Sequence, residues 1–335
     1  MKKAILLITG VVTYCAAFAQ TKEEFRTAAV MQAQRGRFDS AQLTLGQALT
    51  QNPNDLDLLK DKGYMYVLGR DFSNAFVVGQ QLTQRADADD QCYQILGMVY
   101  DSLTELDAGA KMYKLALQKF PSSGALYSGY GHLLYTGKNY DEAIIVWEKG
   151  IKTDVNNNSN YYYAAKYYSS NGNLLWSLLY GEIFVNIESF TSRTAEIKDL
   201  LYQNYIKLLT GNTLAKINSG SKGVTKALTD ILIKNKSALN SGDTIQNIAA
   251  IRQNLLIDWV NSGAAKQYPF RLFDLHRQLV EAKIFTAYNE WLFGESANES
   301  AYEKWQNAHA DEMKQWQQLL HSVVFKIPAG QYYTN

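Results

Sequence analysis

The chain has 335 residues, 47% hydrophobic and 19% charged, which is enough apolar material to bury a sizeable core without cross-links. Its 33 Lys and Arg balance 32 Asp and Glu to a net charge of +1, and this excludes the electrostatic footprint of a nucleic-acid or anionic-lipid binder. With 2 cysteines, 4 prolines and no Pro/Ser-rich linker, a disulfide framework and a long disordered spacer are excluded as well.

The N-terminal stretch Met1–Ala19 carries Lys2 and Lys3, then an apolar run, then Ala17-Phe18-Ala19. That is the layout of a secretory signal peptide with an A-x-A cleavage site, so Gln20 is the expected first residue of the mature protein. As a membrane anchor the apolar run is too short against the roughly 20 residues of a span. Cys15 admits a lipoprotein reading, but Val12-Thr13-Tyr14 lacks the small residues of a lipobox. No later stretch is long and apolar enough to span a bilayer. The expected location is therefore periplasmic or secreted. Removal of the leader takes Cys15 with it and leaves Cys92 without an intramolecular disulfide partner.

The stretch Asp90–Ser123 carries Tyr93, Leu96, Gly97, Tyr100, Leu106, Gly109, Tyr113, Ala116, Leu117 and Pro121. Its frame recurs at a step of 34 residues from Lys22 to Thr191, without a gap. The eighth place is always small (Ala29, Gly63, Gly97, Gly131, Ala165), and so is the twentieth (Ala41, Ala75, Gly109, Ala143, Ser177). Small residues at these places are expected where two helices of a hairpin cross at an interaxial distance of roughly 8–10 Å. Phe38, Phe72, Leu106, Tyr140 and Leu174 are expected to fill the space between hairpins. Pro53 and Pro121 are expected to stop a second helix.

This series resembles the tetratricopeptide repeat, a helix–turn–helix unit of 34 residues. The resemblance implies an all-α fold, an α-solenoid of TPR helix hairpins followed by a helical C-terminal region. Five repeats are expected, at 22–55, 56–89, 90–123, 124–157 and 158–191. One hairpin cannot bury its apolar face alone, so neighbours are expected to stack around a concave inner face. In this family the first helix of each hairpin lines that face. The resemblance thus points to Arg26 and Val30, to Lys60, Tyr64 and Val67, and to Gln94, Met98 and Asp101. Next come Ser128, His132 and Tyr135, then Tyr162, Lys166 and Ser169. The mixture of aromatic, cationic and polar groups suits an extended peptide or a partner's helix. Half of these side chains could instead contact the chain's own C-terminal region. The family's carboxylate clamp is not carried over, because Val30 and Tyr64 stand where it wants Asn.

Beyond Thr191 the frame ends but helical periodicity continues. Thr194–Leu209 is expected to cap the last repeat, and Gly211–Gly223 to be a loop. Helices are expected over Val224–Leu239, Thr244–Asn261, Pro269–Phe293, Ser300–His309 and Asp311–Val324, before an extended tail at Phe325-Lys326-Ile327-Pro328. This region reads either as degenerate repeats or as a separate helical cap. The cap is the reading the lost 34-residue step favours.

Signs of chemistry are sparse, and the chain is read as a non-enzyme with no metal and no cofactor. His132, His276, His309 and His321 are scattered, and none has a partner at the spacing of an H-E-x-x-H site. Ser219-Gly220-Ser221-Lys222-Gly223 lacks the spacing of a phosphate loop. Asp154, Asn156 and Asn158 alternate like a calcium loop, but Ser159 and Ala165 replace its glycine and its bidentate glutamate. Glu290-Trp291 with Glu303 and Trp305 sets acids beside tryptophan, as a sugar-cleaving site would. The leading expectation is an exported scaffold that holds a protein or peptide partner. A structural or assembly factor of a cell-envelope complex is the alternative, and a hydrolase seated in the C-terminal helices is a third reading.

Overall fold

The computed structural model describes residues 21–210, 212–236 and 244–334. The leader expected over Met1–Ala19, with Cys15, and the new terminus at Gln20 lie outside them. The described residues are helical, with no strand among them. They divide into two compact units, Met1–Ala88 and Asp89–Asn335. The first holds α1 (Lys22–Gln34), α2 (Phe38–Gln51), α3 (Leu56–Leu68) and α4 (Phe72–Gln84). The second opens with α5 (Asp90–Ser102), α6 (Leu106–Lys119), α7 (Gly124–Thr136), α8 (Tyr140–Thr153), α9 (Asn158–Ser170) and α10 (Leu174–Ile187).

Local chemistry sets where each first helix begins. Thr21, Asp55, Asp89, Ser123 and Asn157 lie 34 residues apart, and each accepts a hydrogen bond from the backbone N–H three residues on. Such a cap satisfies a donor that the helix leaves orphaned, worth about 1 kcal/mol. A sixth cap at Thr191 opens α11 (Ser192–Leu209), one further step along. The turn inside each hairpin recurs too. Gly36, Arg70, Thr104, Lys138 and Gly172 all have positive φ, between 60° and 81°. Pro53 and Pro121 fall just beyond the ends of α2 and α6, where they interrupt no helical bond.

Packing at the small positions differs from a bare approach of two backbones. A methyl group at Gly131 would lie 2.3 Å from Nε1 of Trp147, so that space is taken by an indole from the second helix. Trp147 is buried, and its Nε1 donates to the Ser128 carbonyl at 3.2 Å. Tyr140 does not fill the space between hairpins as expected. It is 45% exposed and stands edge-on to Tyr135, while Leu174 at the same place in the next hairpin is buried.

The second unit is built around α10. Its sequence, LLWSLLYGEIFVNI, is apolar on every side, and 13 of its residues are buried. A helix apolar all round needs cover on all faces. The chain goes on through α11 to α12 (Thr213–Asn218), α13 (Gly223–Asn235), α14 (Thr244–Asn261), α15 (Ala264–Gln267), α16 (Arg271–Glu281), α17 (Phe285–Ala308) and α18 (Ala310–Ser322); α9 and α11 pack along α10, and α13, α14, α16 and α17 reach it through hydrogen bonds. Trp176 Nε1 donates to Thr225 on α13 at 3.2 Å. Glu182 on α10 takes hydrogen bonds from Arg252 on α14, from His276 on α16 at 2.6 Å and from Tyr288 on α17 at 2.7 Å. All of these polar groups are buried. Burial alone would raise the Glu182 carboxyl, but the Arg252 guanidinium beside it holds it down at about 2.

Several sequence expectations change here. The loop expected over Gly211–Gly223 contains α12. The helix expected over Val224–Leu239 is described only to Lys236. The single helix expected over Pro269–Phe293 is two, α16 and α17, parted at Lys283 with φ 61°. The helix expected from Ser300 joins α17 across a break at Asn298, whose extended backbone lets its side chain cap Ala301 N at 2.9 Å. The α16–α17 turn repeats the hairpin turn bond for bond. Lys283 N–H donates to Val280 O and Ile284 N–H to Leu279 O, as Thr104 donates to Asp101 and Glu105 to Tyr100. Counted from that turn, His276 and Tyr288 take the eighth and twentieth places, which are small in the five earlier hairpins.

The tail docks on this unit. Phe325 and Ile327 are buried, and Asn156 between α8 and α9 holds both backbone groups of Ile327, at 2.9 and 3.1 Å. Tyr180 on α10 donates to the Tyr333 carbonyl at 3.0 Å. The tail thus rests on α10, on the turn between α8 and α9 and at the start of α16, where Arg271 faces the Phe325 ring at 5.0 Å and Tyr333 donates to the Pro269 carbonyl at 2.9 Å.

Candidate functional site

The first-helix face is the surface that the repeat frame singles out. In the first unit, Arg26 on α1 binds Asp61 on α3 at 2.5 Å. Lys22 reaches Asp55 and Asp57, each at 2.9 Å. The Asp61 carboxylate raises the Arg26 guanidinium above its ordinary value. Lys60 is half-buried and pairs with Asp57 at 3.4 Å, and Val67 is buried. Tyr64 is 41% exposed and Val30 48% exposed.

In the second unit the same ladder recurs. Asp101 on α5 meets His132 Nδ1 on α7 at 2.8 Å. Tyr162 on α9 donates to Glu196 on α11 at 2.5 Å, and Lys166 reaches the same carboxylate at 2.6 Å. Ser169 pairs with Asn204, which also donates to Ser177 at 2.9 Å. Each rung joins residues 30–35 apart in sequence, one first helix to the next. Tyr162 is itself buried, its ring faced by Lys166 at 4.9 Å and Arg193 at 5.0 Å. Burial raises its phenol, with the Glu196 carboxylate adding to the effect.

Aromatic rings fill the space between the rungs. His132 lies 4.9 Å from Tyr163, and Tyr163 stacks on Trp147 at 5.3 Å and 12°. Tyr135 leans on Trp147 at 5.8 Å while 39% exposed. Gln94, Met98 and Ser128 share this helical face, the first two half-buried and Ser128 buried. Tyr163, Trp147, Arg193 and Glu196 were missed by position counting. Tyr163 had a signal in the run Tyr161-Tyr162-Tyr163, and Glu196 had none short of recognising α11 as the next first helix.

The scattered chemical candidates are mostly engaged elsewhere. Cys92 is buried, its Sγ 3.3 Å from Asp89 Oδ1. Asn156 holds the tail, and Asn158 donates to Glu188 at 2.7 Å, so the Asp154–Asn158 series does not converge on one point. His309 stacks on Trp305 at 4.4 Å and His321 on Phe190 at 4.8 Å. Among the described residues, no three His, Cys, Asp or Glu side chains gather in a way that would hold a metal ion. Glu290 and Trp305 line one cavity. Glu303 is exposed outside it, and Trp291 packs on Trp316 at 5.2 Å beneath Lys198.

No family model matches the sequence, and no curated protein matches it. Solved structures do. A thermophilic TPR protein of Thermus thermophilus is 18% identical, with a TM-score of 0.46 over 57% of this chain and 100% of its own. MamA AMB-1 is 18% identical, with a TM-score of 0.33 over 61% of this chain and 94% of its own. A tetratricopeptide repeat protein of Parabacteroides merdae ATCC 43184 is 14% identical, with a TM-score of 0.39 over 72% of this chain and 92% of its own. Within this chain, helices, caps and turns return every 34 residues, the length of a tetratricopeptide hairpin.

Proposed function

We propose that the protein is an exported scaffold that holds a partner polypeptide against its first-helix face. One observation carries this reading. Arg26, Asp101, His132, Tyr162, Lys166 and Ser169 are spent on rungs between neighbouring helices, whereas Tyr135 stays 39% exposed over the Trp147–Tyr163 stack. A tyrosine held on a fixed aromatic base loses little entropy on binding and offers a wet hydroxyl, the usual make-up of an interface anchor. In the first unit, Tyr64 and Val30 offer similar exposed groups. The export half of the reading stands on the leader-like sequence of Met1–Ala19.

Photo-crosslinking in cells tests it. A benzophenone side chain at Tyr135 or Met98 should trap one and the same partner, and one at Leu115 on α6, which is 50% exposed, should not. Equal capture from all three positions would sink the proposal. Mass measurement of protein from the envelope fraction should find Gln20 at the N-terminus.

A second reading, an assembly factor working through its C-terminal helices, draws on a different feature. Between α14 and α16 lies an apolar cleft of about 410 Å³, lined by Leu256, Trp259 and Phe273 and edged by Ile257 and Val260, which are 51% and 56% exposed. Loss of function from Ile257→Asp with Tyr135→Ala silent would favour that reading.

A further inference from the structure

The cleft between α14 and α16 takes one stripe of side chains from each helix. Leu256, Ile257 and Val260 come from α14, and Phe273, Asp274 and Arg277 from α16, at the spacing that keeps residues on one helical face. Buried Trp259, Phe273 and Phe270 pack edge to face beneath it, with ring centroids 5.2 and 5.0 Å apart. Its volume of about 410 Å³ falls within the roughly 300–1,000 Å³ of cavities that hold small molecules. The mouth is open, since Ile257 and Val260 are 51% and 56% exposed.

Three charged side chains edge the cleft, Asp274, Arg277 and Glu281, all on α16. They are not equivalent. Arg277 and Glu281, both exposed, pair with each other one turn apart at 2.8 Å. Asp274 is half-buried, and among the described residues no side chain donates to it or forms an ion pair with it. It stands in the first turn of α16, where the helix favours a negative charge. The cleft thus offers apolar walls and one carboxylate whose charge no neighbour answers. A partly desolvated carboxylate gains more from a cation than one in open water does. An anion would meet that charge with only Arg277, already held by Glu281, to offset it.

We propose that this cleft is a binding site for an amphipathic amine, a small molecule whose apolar body lies against Trp259 and Phe273 and whose ammonium group pairs with Asp274. Burial of the body supplies the affinity, and Asp274 supplies the selection. The site is separate from the first-helix face and needs neither functional reading above. The effect of Ile257→Asp in cells and ligand binding by the purified chain are independent, so either reading can fail without the other.

The test is calorimetric titration of the full chain with phenylbutylamine, phenylbutanol and phenylbutyrate, which share one apolar body. The amine should bind at millimolar concentration or below, about fivefold tighter than the alcohol, with the acid weakest. Asp274→Asn should bring amine and alcohol together. Arg277→Gln removes the competing cation and should strengthen amine binding by up to about fivefold. Ile257→Ala should weaken all three ligands alike, as expected for an apolar wall. The substituted positions are exposed or half-buried, so thermal melts should match the parent. If Asp274→Asn does not fold, the order of the three ligands and the response to Arg277→Gln decide the matter. Acid or alcohol bound as tightly as the amine, or a folded Asp274→Asn that keeps the preference, would overturn the proposal. Light scattering that finds a dimer dissociated by Ile257→Asp would overturn it too, giving the cleft to a second copy. No amine binding at several millimolar, with Ile257→Asp still abolishing function in cells, would give the cleft to a protein partner instead.

Discussion

Gly97 on α5 lies so close to Tyr113 on α6 that a methyl group at Gly97 would come within 2.1 Å of the phenol oxygen. The same oxygen would meet a methyl group at Gly129 on α7 at 2.3 Å. The ring, 1% exposed, is a peg between two successive first helices. Gly97→Ala should therefore cost about 1–3 kcal/mol, the usual penalty of overpacking. Combined with Tyr113→Leu, the cost should shrink, because the clash and its cause are removed together. Urea unfolding of the two single variants and the double variant gives the coupling, expected at about 0.5–3 kcal/mol. Strictly additive losses would show that the ring moves aside freely.

The hairpins were legible because their determinants are local and repeat. A small residue, an Asp, Ser, Thr or Asn cap and a helical stripe can each be seen without knowing what they touch. The rungs were not legible. Arg26 and Asp61, or Lys166 and Glu196, read as separate surface charges until stacking sets them side by side. The α16–α17 hairpin was hidden for another physical reason. Where a small residue marks the earlier crossings, it carries His276 and Tyr288, which reach into the core to satisfy Glu182. The break at Asn298 had only a weak local sign, an asparagine able to cap the helix that follows it.

Thr104 holds the left-handed turn between α5 and α6 at φ 60°, a region that β-branched residues avoid. At the same place in other hairpins stand Gly36 and Gly172, at φ 71° and 81°. Thr104 is exposed, so its side chain gives little packing in return. Thr104→Gly should relieve about 1–2 kcal/mol of strain, partly offset by the greater freedom of glycine in the unfolded chain. A small rise in melting temperature is expected, measured by calorimetry. A fall would mean that the hydroxyl or methyl group makes a contact worth more than the strain.

Glu182, Arg252 and His276 form a buried ionic knot between α10, α14 and α16. Removing one charge strands the other, so Glu182→Gln should cost about 3–5 kcal/mol. The pH response follows from two groups. Burial, with Arg252 nearby, lowers His276 below its ordinary value of 6.5, against the pull of Glu182. Below that value the unfolded chain takes up a proton that the folded chain refuses, so acidification destabilises. Glu182, held at about 2 against an ordinary 4.5, adds a second loss as pH falls through that interval. Melting temperature should fall from about pH 7 to about pH 5, then fall again in stronger acid. His276→Gln should flatten the first decline and spare the second. A first decline unchanged in that variant would place the titrating group elsewhere.

The tail offers a protease test. Lys326 is exposed between buried Phe325 and Ile327, and the bond after it is a trypsin site. Cleavage needs several residues of extended backbone free to enter the protease, but Asn156 occupies both hydrogen-bonding groups of Ile327. The Tyr180 hydroxyl holds the Tyr333 carbonyl further along. Asn156→Ala removes two hydrogen bonds, each worth about 0.5–1.5 kcal/mol net, and so raises the undocked fraction by roughly one to two orders of magnitude. Where docking is fast relative to cleavage, the rate tracks that fraction. Limited trypsin digestion followed by mass spectrometry should show the Lys326–Ile327 bond cut faster in Asn156→Ala by a similar factor, with cuts within α5–α10 unchanged. Equal rates in parent and variant would show that burial of Phe325 and Ile327 alone keeps the tail in place.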